Sequence, residues 1–313
     1  MIKSSEKILI TAGSTYLDID AYACAVAMAE LLQLQGENAV AYSKAPCNYS
    51  VCKSLIKDSL IARELPSGFD EDNAKYIIVD VSDPDFLKSS VPLDRVAELY
   101  DHHAGFGEYW TSRIGEGAHI EFIGAAATLI YREWKKAGLE DKMSPPTARL
   151  LIAAILDNTL NLTSANTTEE DRVVYRELCE KIEDSEEFPA LYFSEVQKTV
   201  EADLKNALFG DVKSIRDNPI LPSCMGQIAV WDSDSILART EEICLWFDSS
   251  WDSWMLNIID IQHNCNYFIC SSREHQRKIE QTFDVHFKSG IAKTALPYLR
   301  KEIIKKSYFG SNF

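Results

Sequence analysis

The sequence predicts an α/β protein of two domains, the first built on a parallel sheet. Three observations carry this expectation. The first half alternates short β-branched runs with longer stretches of helical periodicity, as βαβ units do. The chain has 313 residues, more than the roughly 250 at which single cores usually stop growing. A charged stretch, Glu180–Glu187, ends at Pro189, which sets the expected domains at 1–188 and 189–313.

In chain order, strands are expected at Lys7–Thr11, Ala39–Tyr42, Tyr76–Val79 and Ala97–Tyr100. A helix is expected over Ala21–Gln35, where Ala25, Met28, Leu31, Leu32 and Gln35 share one face. Two more helices follow, Gly124–Ala137 and Ala148–Leu156, before the polar, loop-like Asn158–Thr168. The second half reads as a smaller α/β domain. Its expected elements are a helix at Val196–Ala207, strands near Ile228–Val230, Trp254–Ile261 and Tyr267–Cys270, and a helix around Ala292–Lys301.

Composition narrows the function. With 46% hydrophobic and 26% charged residues the chain can bury a sizeable core. Its 48 acidic against 32 basic side chains give a net charge of −16, which repels phosphate backbones and argues against holding long nucleic acid. A small anionic phosphate compound remains a suitable partner if metal ions or a local basic cluster offset that field. No run approaches the roughly 18 apolar residues of a membrane span, and Met1–Ile10 lacks the features of a signal peptide. A cytoplasmic location is expected, and a homodimer is left open. The eight cysteines, at 24, 47, 52, 179, 224, 244, 265 and 270, form no Cys-x-x-Cys pair, so structural zinc is not expected.

The informative acids follow apolar runs, where open parallel sheets place their ligands. Asp18 and Asp20 follow the first strand, Asp80 closes Tyr76–Val79, Asp101-His102-His103 follows Val96–Tyr100, and Asp157 ends Leu150–Leu156. An acid after a strand is most often a turn former or helix cap, which is the plain reading of Asp18 or Asp83 taken alone. Four such sites in order are harder to explain that way. Carboxylates ending apolar runs are costly unless compensated, and a divalent cation compensates them. Carboxylate plus imidazole suits Mn²⁺, Mg²⁺, Fe²⁺ or Co²⁺, and a binuclear centre is favoured. His119, His263, His275 and His286 have no ligand-like spacing.

These residues resemble the DHH phosphoesterase superfamily, named for the triplet found here as Asp101-His102-His103. The resemblance includes Asp18-Ile19-Asp20-Ala21, Val79-Asp80-Val81-Ser82-Asp83, Gly124-Ala125-Ala126-Ala127-Thr128 and Ile155-Leu156-Asp157-Asn158-Thr159. The second half resembles the DHHA2 type of domain, with Asp211-Val212-Lys213-Ser214-Ile215 matching its Asp-x-Lys segment and Arg277-Lys278 similar to its basic pair. That favours the branch of manganese-dependent inorganic pyrophosphatases and exopolyphosphatases.

The resemblance implies an active site between the two domains and two divalent metal ions, Mn²⁺ first, with Mg²⁺ and Co²⁺ as alternatives. Asp18, Asp80 and Asp157 would hold one ion, and Asp20, Asp80, His102 and Asp157 the other. His103 and Asp101 would carry catalytic roles, with His103 on the substrate phosphate and Lys213, Arg277 and Lys278 on its far end. The implied reaction is hydrolysis of a phosphoanhydride bond. One departure is Ser14, where the pyrophosphatase pattern has histidine and exopolyphosphatase-type relatives have asparagine; Asn158 is a smaller one. Two other readings keep the same residues: a phosphodiesterase on short oligonucleotides or cyclic dinucleotides, and a non-catalytic binding module with a degenerate metal site.

Overall fold

The computed structural model describes residues 7–13, 16–56, 60–65, 69 and 73–309. Ser14 lies outside them. Contacts divide the chain into two units: Met1–Leu162 with Asn166–Pro189, and Thr163–Ala165 with Ala190–Phe313.

In the first unit the elements run β1 (Lys7–Thr11), α1 (Ile19–Leu34), β2 (Asn38–Ala41), β3 (Lys75–Val79), α2 (Pro84–Leu87), β4 (Val96–Asp101), α3 (Gly107–Ile114), β5 (Ala118–Ile120), α4 (Ala126–Ala137), α5 (Pro145–Asn158) and α6 (Glu169–Cys179). The sheet order is β2-β1-β3-β4-β5, and every pairing is parallel. Its strands are continuous apolar runs, with Ile8, Leu9, Ile10, Ile77, Ile78 and Val79 fully buried, because a parallel sheet is covered on both faces. Leu9, Tyr76, Ile78 and Leu99 pack on one side with Leu87 of α2 and Trp110 of α3. Helix α1, buried from Ile19 to Ala29, packs against α4 and α5 as well as β1 and β2. A helix apolar nearly all round needs such double cover.

The strand order fixes where a ligand can enter. The connections from β1 and β3 leave in opposite directions, opening a crevice beyond the C-terminal ends of those two neighbours. Asp18 and Asp20 follow β1, and Asp80 follows β3.

The second unit holds α7 (Phe188–Ala202), α8 (Leu204–Gly210), β6 (Val212–Ser214), β7 (Cys224–Val230), α9 (Asp234–Leu237), α10 (Thr240–Asp248), β8 (Trp254–Asp260), β9 (Cys265–Cys270), α11 (Arg273–Phe283), β10 (Ile291–Lys293) and α12 (Arg300–Phe309). Its sheet is mixed, in the order β10-β9-β8-β7-β6, with only β7 and β8 parallel. Met225, Met255, Phe268 and Ile279 form its core. A buried amide network crosses the sheet: Asn266 Nδ2 donates to Asn257 Oδ1 and, at 2.7 Å, to Tyr298 O. Its Oδ1 accepts Tyr298 N at 2.9 Å. Gln227 Oε1 accepts Arg300 N at 2.6 Å. The network fixes the segment that opens α12.

Two expected helices are corrected. The expected helix Ala292–Lys301 is instead strand β10 followed by a loop, and the helix begins only at Arg300. Pro297 explains the difference, because it has no N–H to give a helix and disfavours helical backbone at Leu296. The expected single helix Val196–Ala207 is two helices, with Asp203 at φ −143° between them. Pro189 lies in the first turn of α7, where its missing donor costs nothing.

Candidate metal centre

Asp18 is the N-cap of α1, and its Oδ1 accepts Ala21 N at 2.9 Å. The plain capping role is therefore real, but it engages only one carboxylate oxygen. Asp20, two residues on, is fully buried. It is gripped by the first amides of α4, with Ala126 N at 2.8 Å from Oδ2 and Ala127 N at 2.9 Å from Oδ1. Helix N-termini stabilise anions in this way. The Cys24 thiol adds a contact to Oδ1 at 3.3 Å. Burial, then the charge of Asp18, nevertheless pushes the Asp20 pKa up to about 7.

Asp80 follows β3 directly and adopts φ +57°, a left-handed conformation that Asp and Asn tolerate better than most residues. Its N–H still pairs with Tyr100 O at 2.8 Å, so the turn starts from fixed sheet register. The carboxyl is buried, and Oδ1 has no hydrogen-bond partner among the described residues. Burial raises its pKa well above the usual range, and the charges of Asp20, Asp18 and Asp101 and a hydrogen bond to Asp18 add to the effect. Asp83, by contrast, caps α2 through Asp85 N.

The Asp-His-His triplet closes β4. His102 Nδ1 lies 3.1 Å from Ile123 O, which can only accept, so Nδ1 carries the proton and Nε2 bears the lone pair. That Nε2 lies 3.5 Å from Asp80 Oδ1 and 4.0 Å from Asp20 Oδ2. Asp101, fully buried, accepts His102 N at 2.8 Å, His103 N at 3.1 Å and His103 Nδ1 at 2.8 Å, all on Oδ1. Its pKa is lowered: burial opposes the anion, and the hydrogen bond and charge of His103 outweigh it. His103 is thereby oriented while its ring stays largely exposed.

A divalent cation fits these groups. Ligand atoms held about 2.0–2.2 Å from one ion stand roughly 3–3.6 Å apart, and the 3.5 Å from His102 Nε2 to Asp80 Oδ1 is in that range. Asp80, His102 and His103 offer ligand atoms all within 4.8 Å of one another. Asp157 occupies the last turn of α5, half-buried, on the helix packed along α1.

Residues outside the expected set support the centre. Asp171 is fully buried and accepts Gly124 N at 3.0 Å, next to the amides that grip Asp20. A Cβ on Gly124 would come within 2.5 Å of Asp171 Oδ2 and 2.7 Å of Thr159 Cγ2. Gly124→Ala is therefore expected to cost about 1–3 kcal/mol of stability, read as a fall in thermal midpoint of the metal-free protein.

In the second unit, Lys213 lies on β6, where partial burial of its ammonium and then the Arg300 guanidinium lower its pKa. Arg300 is buried, pairs with Asp211 Oδ1 and donates to Asp211 O at 2.7 Å. Arg277 and Lys278 lie on α11, where Lys278 pairs with Glu274 at 2.7 Å. Arg300, which begins a second Arg-Lys pair, Arg300-Lys301, is a cation whose charge acts on Lys213.

No family model matches the chain. Among curated proteins it is similar to a Deinococcus radiodurans protein named probable manganese-dependent inorganic pyrophosphatase, 24% identical over 95% of this chain and 96% of that one. A protein of the same name from Staphylococcus saprophyticus is 28% identical over 72% of each chain. Among solved structures, a Methanococcus jannaschii protein assigned to family II inorganic pyrophosphatases superposes with TM-score 0.65 at 18% identity, covering 98% of this chain and 100% of that one. An exopolyphosphatase-related protein of Bacteroides fragilis gives 0.51 at 13% identity, covering 97% and 91%. Among the described residues no helix is long and apolar enough to cross a membrane. The chain is thus similar over most of its length to proteins named probable manganese-dependent inorganic pyrophosphatase, and it shares the fold of the Methanococcus jannaschii structure.

Proposed function

We propose that this chain hydrolyses phosphoanhydride bonds, with pyrophosphate or a short polyphosphate as substrate and Mn²⁺ as the metal. The observation that carries this reading is the buried Asp80 Oδ1, without a hydrogen-bond partner among the described residues, 3.5 Å from His102 Nε2 and close to further carboxylates, an arrangement that makes chemical sense around divalent cations. The names of the relatives support the same substrate class.

Asp18, Asp80 and Asp157 would hold one ion, and Asp20, Asp80, His102 and Asp157 a second. When bound, two such ions neutralise phosphoryl oxygens and lower the pKa of water. The protein's own groups set the rest. Asp101 holds His103 through Nδ1, so Nε2 points away from Asp101 and, in the protonated ring, would donate to a substrate phosphate oxygen. The α4 amides partly offset the cost of burying the Asp20 anion. Lys213, Arg277 and Lys278 are assigned the remaining phosphate charge.

Phosphate release from pyrophosphate, tripolyphosphate and long polyphosphate by the manganese-loaded protein, with a dinucleotide beside them, tests this reading. Turnover of a phosphoanhydride is expected, with pyrophosphate or tripolyphosphate fastest. Cleavage of the dinucleotide alone would replace the reading with the phosphodiesterase one. Silence on all four, in a protein that binds Mn²⁺, would leave a binding module.

A further inference from the structure

We propose that Asp171, on α6 and outside every metal-ligand motif, is a positioning residue for the metal centre, acting through the segment Ile123–Ala127. The inference rests on the metal-centre reading above.

Asp171 is completely buried. Part of its bonding belongs to a helix cap: its Oδ2 accepts Thr168 N and Thr168 Oγ1, each at 2.7 Å, and its own N–H returns to Thr168 Oγ1 at 3.2 Å. A capping box needs no more than this. Two further bonds leave the cap. Oδ2 also accepts Gly124 N at 3.0 Å, and Oδ1 accepts Thr128 Oγ1 at 2.6 Å. One carboxylate thus clamps both ends of the segment that runs into α4.

That segment reaches the metal centre three times. Ile123 O fixes His102 Nδ1, while Ala126 N and Ala127 N fix the two oxygens of Asp20. Gly124 lies between them, and its lack of a Cβ lets Asp171 approach. A third side chain extends the clamp: Asn166 Nδ2 donates to Gly124 O at 3.4 Å and to Asn158 O at 3.3 Å, next to Asp157. Loss of Asp171 would leave Gly124 N and the Thr128 hydroxyl buried without their acceptor, so the segment must shift to satisfy them. His102 and Asp20 move with it.

Groups bonded directly to metal ligands change metal affinity by about 10–100-fold when removed. Asp171 acts one bond further out, so a loss of Mn²⁺ affinity of about tenfold, the lower end of that range, is expected in Asp171→Ala, read by calorimetric titration of the metal-free protein. Asp171→Asn should fall between wild type and alanine, because its amide can turn one oxygen to Gly124 and Thr168 and its nitrogen to the Thr128 hydroxyl. Asp260→Ala is the control for a purely structural effect. Asp260 is equally buried, in the second unit, where it accepts Ser233 N, Ser233 Oγ and His263 N, and its loss should leave Mn²⁺ affinity unchanged.

Equal Mn²⁺ affinity in wild type and Asp171→Ala would overturn the proposal and leave the metal-centre reading standing. So would an equal loss in Asp260→Ala. A wild-type chain that takes up no Mn²⁺ would overturn both. If the alanine variant does not fold, asparagine decides alone: a loosening beyond about threefold supports the role, and wild-type affinity overturns it.

Discussion

Asp80→Asn is expected to abolish hydrolysis while making the metal-free protein more stable. Both halves follow from one geometry. The carboxylate stands buried among Asp18, Asp20 and Asp101, which raise its pKa after burial has done so, so the folded metal-free chain disfavours the anion. The amide removes that charge at nearly the same volume. Asparagine also tolerates the left-handed backbone at φ +57°, whereas alanine would add strain there and blur the comparison. Without the carboxylate, the ion pair expected to share Asp80 loses its common ligand. A drop in turnover of at least about a thousandfold is expected, about 4 kcal/mol of barrier, together with a higher thermal midpoint near pH 8 without metal. Turnover within a few-fold of wild type would contradict the assignment of Asp80. A lower midpoint would contradict the electrostatic account of it.

Metal-free stability should fall as pH rises from about 4 to about 7, and Mn²⁺ should reverse the trend. Asp20 is raised in the folded state from 3.8 to about 7. In this interval the folded chain binds more protons than the unfolded one, so each step up in pH favours unfolding. The full contribution is of order 4 kcal/mol, and Asp80 acts with the same sign. Asp101 acts oppositely at the acid end, because its lowered pKa gives stability that is lost as pH falls below the ordinary carboxylate range. Metal binding requires deprotonated ligands, so saturating Mn²⁺ should stabilise most at high pH, by about 2.7 kcal/mol at a hundred times Kd. Thermal midpoints from pH 4 to 8.5, with chelator and with Mn²⁺, read both curves. A metal-free midpoint that climbs steadily to pH 8, or one that Mn²⁺ fails to raise there, would contradict the origin given for these shifts.

Much of this was legible in the sequence because it depends on short spacings. Asp80 interrupts an apolar strand, Asp18 and Asp20 share the start of a helix, and the triplet follows β4; each is a local pattern with a physical cost that calls for an explanation. The parallel sheet was legible for the same reason. Other features depend on contacts between distant residues. Asp171 carries no signal in the sequence, and only the fold brings it to Gly124. The α4 amides carry no side-chain signal at all. Arg300 resembled Arg277 as the first residue of an Arg-Lys pair, and only its setting beside Lys213 and Asp211 distinguishes it. The helix expected at Ala292–Lys301 does not form because Pro297 interrupts it, and the buried amides of Asn257 and Asn266 hold the resulting loop in place.

Manganese positions, located by anomalous scattering from crystals grown with Mn²⁺, bear most directly on the metal centre. Two peaks are expected, about 3.5–4 Å apart, both within bonding distance of the Asp80 carboxylate, with one also on His102 Nε2. A single peak remote from Asp80, or none in a protein that still releases phosphate, would contradict it.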